Sequence, residues 1–104
     1  MPRAHRGDIW LADLGFVAKV RPVLILSIEY RDDERVVATY VIRTTSIRGT
    51  QYEVPHSTTG FQEGVFDAQG LGTVPHAKLL RRFGLIDSAT LERVEGSIRL
   101  WLGL

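Results

Sequence analysis

The chain has no cysteine, so disulfides and thiolate metal sites are excluded and nothing speaks for an oxidising compartment. It has no apolar stretch near the roughly 20 residues that a membrane span needs. None follows the cations of Met1-Pro2-Arg3-Ala4-His5-Arg6-Gly7-Asp8 either, so no signal peptide is expected and the location expected is cytoplasmic. Charge of either sign is not in excess: a formal net charge of +1 excludes a strongly basic, histone-like binder of nucleic acid, though not a local basic patch. Lysine is scarce, since eleven of the 13 cations are Arg, the residue better suited to bidentate phosphate contact. No internal repeat, linker or low-complexity tract interrupts the chain. Its 104 residues, 44% of them hydrophobic, are expected to form one domain over residues 1–104 with a single core.

What is present is organised around Arg21-Pro22-Val23-Leu24-Ile25-Leu26-Ser27-Ile28. Its apolar, partly β-branched run reads as a strand buried on both faces, with Pro22 tolerable because a strand's first residues can forgo a ladder donor. A second run, Val36-Val37-Ala38-Thr39-Tyr40-Val41-Ile42, follows a polar break from Glu29 to Arg35 that reads as a hairpin loop. In an antiparallel pair the partner numbers sum to a constant. A symmetric loop makes that constant roughly 63 to 65, which sets Arg21 opposite Ile42, Arg43 or Thr44. The hairpin therefore brings a fixed cation beside Thr44-Thr45-Ser46 at one end of a buried sheet.

The remaining elements are short. Gly7-Asp8 introduces a strand through Ile9, Leu11 and Leu14, and Gly15 to Val20 is a loop with Phe16 and Lys19. Thr44 to Thr50 is a loop, Gln51 to Pro55 a short strand, and His56 to Gln62 a loop. Gly64 to Ala68 and Thr73-Val74 read as separate strands, with Gly70 and Gly72 marking bends or bulges. A further strand runs from Lys78 to Ile86. Leu91, Val94, Ile98 and Trp101 then recur at helical spacing, with Asp87 or Ser88 as N-cap and Gly103 as stop. Six or seven short strands and one C-terminal helix make a mainly β fold, a small twisted barrel with a helix against it.

Arg6-Gly7-Asp8-Ile9-Trp10-Leu11-Ala12-Asp13-Leu14, Arg21-Pro22-Val23-Leu24-Ile25-Leu26-Ser27 and Thr44-Thr45-Ser46, followed by Gly64-Val65, Gln69, Thr73-Val74 and the closing helix, resemble the MazF/PemK/Kid family of toxin endoribonucleases. The resemblance implies an SH3-like barrel of the PemK/Kid/CcdB type, a homodimer and a cognate MazE-like antitoxin partner. It also implies metal-independent, sequence-specific cleavage of single-stranded mRNA, with no cofactor and no membrane. The family's active-site Arg falls on Arg21 and its active-site Thr on Thr44.

The chemistry suits those residues. Attack by the RNA's own 2′-hydroxyl needs a proton acceptor, charge stabilisation on the phosphorane and a donor for the leaving 5′-oxygen. Arg21 offers a permanent charge with forked donors, and Thr44 a hydroxyl for a phosphate oxygen or the 2′-hydroxyl. Lys19, Arg43, Thr45, Ser46, Arg48 and Gln69 are the expected RNA contacts, and Phe16 and Phe61 either stack bases or plug a barrel end. His56 and His76 read as loop histidines, with no spacing that pairs them. Asp67 and His56 are next in line if Arg21 fails. Arg81-Arg82 reads as a solvated face or a dimer contact. Two other functions remain: a non-catalytic, CcdB-like inhibitor, or a degenerate homologue that only binds antitoxin or autoregulates. The short first loop keeps the second of these open.

Overall fold

The computed structural model describes residues 3–104. Six strands form one antiparallel sheet: β1 (Asp8–Asp13), β2 (Val20–Ile25), β3 (Val37–Thr44), β4 (Glu53–His56), β5 (Gly64–Pro75) and β6 (Leu79–Leu85). A one-turn helix, α1 (Gly15–Ala18), joins β1 to β2, and α2 (Ser88–Leu102) ends the chain. The spatial order is β4-β5-β3-β2-β1-β6. β4 and β6 remain as edges, so the barrel-like sheet is not closed.

The central hairpin forms as its pattern dictates. Val23, Leu24 and Ile25 pair with Ile42, Val41 and Tyr40, a constant sum of 65. All three β2 residues are fully buried. Alternation along the strands divides their side chains between two clusters. Trp10, Ala12, Val23, Ile25, Ala38 and Tyr40 pack on one side. Ile9, Leu24, Val41, Val54 and Phe66 pack on the other, against Val94, Leu91 and Ile98 of α2. Asp87 caps that helix by accepting from the Thr90 N–H at 2.9 Å, and Gly103 ends it in the left-handed region at φ 71°. Trp101, expected on the buried face, is 45% exposed and meets Tyr52 edge-on.

Two expectations about β5 and the first loop are corrected. Gly64–Ala68 and Thr73-Val74 are one twelve-residue strand, not two. Ile42 pairs with Asp67 while Val41 pairs with Leu71, so residues 68–70 bulge out without breaking the strand. Gly15 to Val20 contains a helical turn instead of irregular loop alone.

Asp8, expected as a turn residue, is the buried first residue of β1. Its carboxylate accepts from the His5 N–H at 2.8 Å, Trp10 Nε1 at 3.2 Å and Arg82 Nε at 3.0 Å. Arg82 therefore ties β6 to β1. Asp8→Asn keeps the shape but removes the charge those donors meet, and should cost about 2 kcal/mol, the scale of a charged hydrogen bond. Denaturant unfolding of the variant checks this, and a midpoint equal to wild type would contradict it.

Candidate active site

The register of the central hairpin determines what gathers at its open end. Continuing the pairing past Val23 and Ile42 sets Arg21 opposite Thr44. Strand side chains alternate, so Arg21 and Val23 on β2 share a face with Ile42 and Thr44 on β3. Asp67 joins them because it pairs with Ile42 from β5. Arg21, Ile42, Thr44 and Asp67, with Ser46 and Arg48 from the loop after β3, line an open cleft of about 320 Å³. Arg21 and Thr44 are half-buried, whereas Ser46 and Arg48 are exposed.

The loop over 45–52 is held from its two ends by Thr44 and Glu53. Thr44 Oγ1 accepts from the Ser46 N–H at 3.0 Å, a local turn that leaves its own hydroxyl hydrogen for another acceptor. Glu53 takes the N–H groups of Arg48 at 3.0 Å, Gly49 at 2.6 Å and Thr50 at 2.9 Å. Those bonds, Arg48's first, hold its carboxyl below the usual range. Gly64 serves the same end. A Cβ there would lie 2.6 Å from the Thr44 carbonyl oxygen and 2.9 Å from Arg43 Nη1, so only glycine lets β5 begin this close to β3.

Of the expected RNA contacts, Ser46 and Arg48 line the cleft. Lys19, Thr45 and Gln69 are exposed and do not line it. Arg43 is the exception and is corrected. It is 3% exposed, because the residue next to Thr44 on a strand points to the opposite face, where it pairs with buried Phe66. Its Nε donates to His56 Nδ1 at 2.8 Å. Its Nη2 donates to the carbonyls of His56 at 3.0 Å and Gln62 at 2.6 Å. Phe61 lies under the guanidinium and against Phe83, so it is part of the packing and does not offer a face to a base.

His56 and His76 are also buried, not in exposed loops. His56 ends β4, and His76 opens the turn between β5 and β6. Arg43 donates to His56 Nδ1 and the Ala4 N–H donates to His76 Nε2 at 3.0 Å, which assigns the ring proton to the other nitrogen in each. Burial first, and then the charges of Arg43 and Arg3, push both pKa values below 6.5. The unfolded chain takes up these protons near the ordinary value, and the folded chain resists them until lower pH. Stability is therefore full above about pH 6.5 and falls as pH drops below it. Thermal midpoints at about pH 7.5 and 5.5 should show the decrease, and equal midpoints would refute it.

A larger hollow of about 450 Å³ opens between the sheet edges near His56, Phe61, Phe83 and Asp87. No Arg or Lys lines it, so it offers no fixed cation to a phosphate. Among the described residues no three His, Cys, Asp or Glu side chains come together as a metal site, and no helix is long and apolar enough to cross a membrane. Asp67 is the cleft residue that sequence reading left unassigned. Its signal was its place in the β5 alternation, obscured by the bulge that follows.

The sequence matches the family model of the PemK-like, MazF-like toxin of type II toxin–antitoxin systems over residues 5–102. Among solved structures, the chain is similar to the Mycobacterium tuberculosis toxin MazF-mt6, at 28% identity and a TM-score of 0.80 over 93% of this chain and 97% of that one. An endoribonuclease from a mycobacterial species shares the fold, with a TM-score of 0.82 at 24% identity over 100% of this chain and 95% of that one. So does the MazE–MazF assembly of Deinococcus radiodurans, with a TM-score of 0.82 at 17% identity over 98% of each chain. With the family model spanning nearly the whole sequence, this chain belongs to the PemK-like, MazF-like toxins of type II toxin–antitoxin systems.

Proposed function

We propose that this toxin is a metal-independent, sequence-specific endoribonuclease that cleaves single-stranded mRNA. The observation that carries this reading is the cleft that joins Arg21, Thr44, Ser46, Arg48 and Asp67 at one end of the sheet. The 2′-oxygen attacks the adjacent phosphorus, the bond to the 5′-oxygen breaks, and the products are a 2′,3′-cyclic phosphate and a 5′-hydroxyl. Arg21 stabilises the charge that builds on the non-bridging oxygens. Thr44 donates its hydroxyl hydrogen to a phosphate oxygen or orients the 2′-hydroxyl. Asp67 brings the cleft a carboxylate that can take the 2′-proton, and solvent water supplies the proton that makes the leaving 5′-oxygen a hydroxyl. Arg48, Ser46, Thr45, Lys19 and Gln69 hold the flanking backbone.

An endoribonuclease in complex with its cognate antitoxin, from a mycobacterial species, has this fold at a TM-score of 0.80, which supports an antitoxin partner for this chain. Two open sheet edges and exposed Leu80, Leu85, Leu100 and Trp101 favour a homodimer that covers them. The place of action is the cytoplasm, where mRNA is met.

A long transcript incubated with the protein in EDTA should be cut, and the downstream fragments should accept phosphate from a polynucleotide kinase without prior phosphatase. Fragments that already carry a 5′-phosphate, or strict dependence on magnesium, would end this mechanism. No cutting at all would favour the non-catalytic inhibitor or the degenerate homologue.

A further inference from the structure

We propose that Phe16 is a base-stacking platform of the RNA site, with Ile47 as its apolar counterpart on the other lip of the Arg21 cleft; this rests on the endoribonuclease reading. Phe16 is 100% exposed, and Val17 beside it 92%. Every other Phe, Tyr or Trp ring is at least half covered. A lone exposed apolar residue needs no explanation, but the position and the support of this one do.

The position follows from the register. Asp13 pairs with Val20, so the turn carrying Phe16 lies just beyond that pair, at the same end of the sheet as Arg21, the next residue of β2. Ile47, 54% exposed, stands between Ser46 and Arg48, which both line the cleft. The polar cleft thus has, at its end of the sheet, two loops that each carry an exposed apolar side chain. A single-stranded nucleic acid has the matching pattern, a phosphate with a flat apolar base to each side. With the phosphate on Arg21 and Thr44, one neighbouring base falls to Phe16 and the other to Ile47.

Hydrogen bonds also close the turn. The Gly15 N–H donates to Asp13 Oδ1 at 3.0 Å. The Lys19 N–H donates to the Gly15 carbonyl at 2.7 Å, and the Leu14 N–H to the Lys19 carbonyl at 2.9 Å. Lys19 is the one non-glycine among the described residues with positive φ, at 62°. Such a conformation is costly and is found where a loop shape serves function. Lys19 lies directly before β2, and Phe16 in the turn faces solvent and not the core. Phe61, the other candidate stacker, is committed to Arg43 and Phe83.

The test uses the whole protein and a short single-stranded RNA of mixed sequence made with 2′-O-methyl riboses, which has no free 2′-hydroxyl to react. Phe16→Ala should weaken its binding by about 5- to 150-fold, the range for one stacked base, with an unchanged thermal midpoint. Phe16→Trp should restore affinity and lose indole fluorescence as RNA is added, whereas Phe16→Leu, apolar without a π face, should not restore it. Wild-type affinity in Phe16→Ala, or full recovery by Phe16→Leu, overturns the stacking role. A shift of Phe16→Ala to monomer in sedimentation assigns the ring to a second copy of this chain and overturns it too. Cleavage by the wild type in EDTA tests the enzyme reading separately, so stacking can fail while that reading stands.

Discussion

Arg21→Ala should lower RNA cleavage by roughly 10²-fold or more while the protein stays folded. That loss corresponds to about 2.7 kcal/mol of transition-state stabilisation, the scale for one preorganised donor aimed at developing charge. The residue sits half-buried at the mouth of β2, beyond the fully buried Val23, Leu24 and Ile25, so its removal opens no cavity in the core. Arg21→Lys should recover little, because an ammonium is a point charge and cannot address two phosphoryl oxygens at once. Thr44→Val keeps the shape, deletes the hydroxyl and should also cripple cleavage, while Thr45→Val, outside the cleft lining, should do so less. The measurement is single-turnover cleavage of a transcript, paired with thermal midpoints of all four variants. If Arg21→Ala cuts normally, or is inactive only because it unfolds, the chemistry lies elsewhere and Asp67 is the next residue to replace.

The part of this site legible in the sequence was the part governed by strand arithmetic. Two apolar runs and a polar break between them fixed the pairing of Arg21 with Thr44 to within a residue, and the structure has the value at the edge of that range. The C-terminal helix was legible for a similar reason: its apolar spacing and its two caps are local signals. What escaped was set by contacts far apart in the chain. Gly70 marks a bend or bulge, but that β5 runs through it as one strand is set by its pairing with β3. The burial of His56 and His76 depends on Arg43 and Ala4 reaching them across the fold. Asp8 looked like half of a turn because nothing near it shows the Arg82 that meets it 74 residues later.

Arg43 is the instructive miss, since the same period of two that places Thr44 in the cleft sends its neighbour to the other face. Arg43→Ala should therefore destabilise the fold by about 3 kcal/mol. It removes a fork buried in the protein and leaves His56 Nδ1 and the carbonyls of His56 and Gln62 without their donor. Buried acceptors left unpaired cost about 1–3 kcal/mol each, and relief from burying the guanidinium returns part of the sum. Burial already pushes the Arg43 pKa below its ordinary value, consistent with a charge held by neutral acceptors and the Phe61 face. At this chain length such a loss lowers the thermal midpoint by more than about 10 °C. Arg43→Lys should recover less than half, as one ammonium cannot span the three acceptors. RNA binding distinguishes burial from a phosphate contact. At a temperature where Arg43→Ala is folded, its salt dependence should match wild type, whereas Arg48→Ala should lose about 0.7 from the slope of log affinity against log salt. A stable Arg43→Ala with a reduced salt slope would return this residue to the RNA surface.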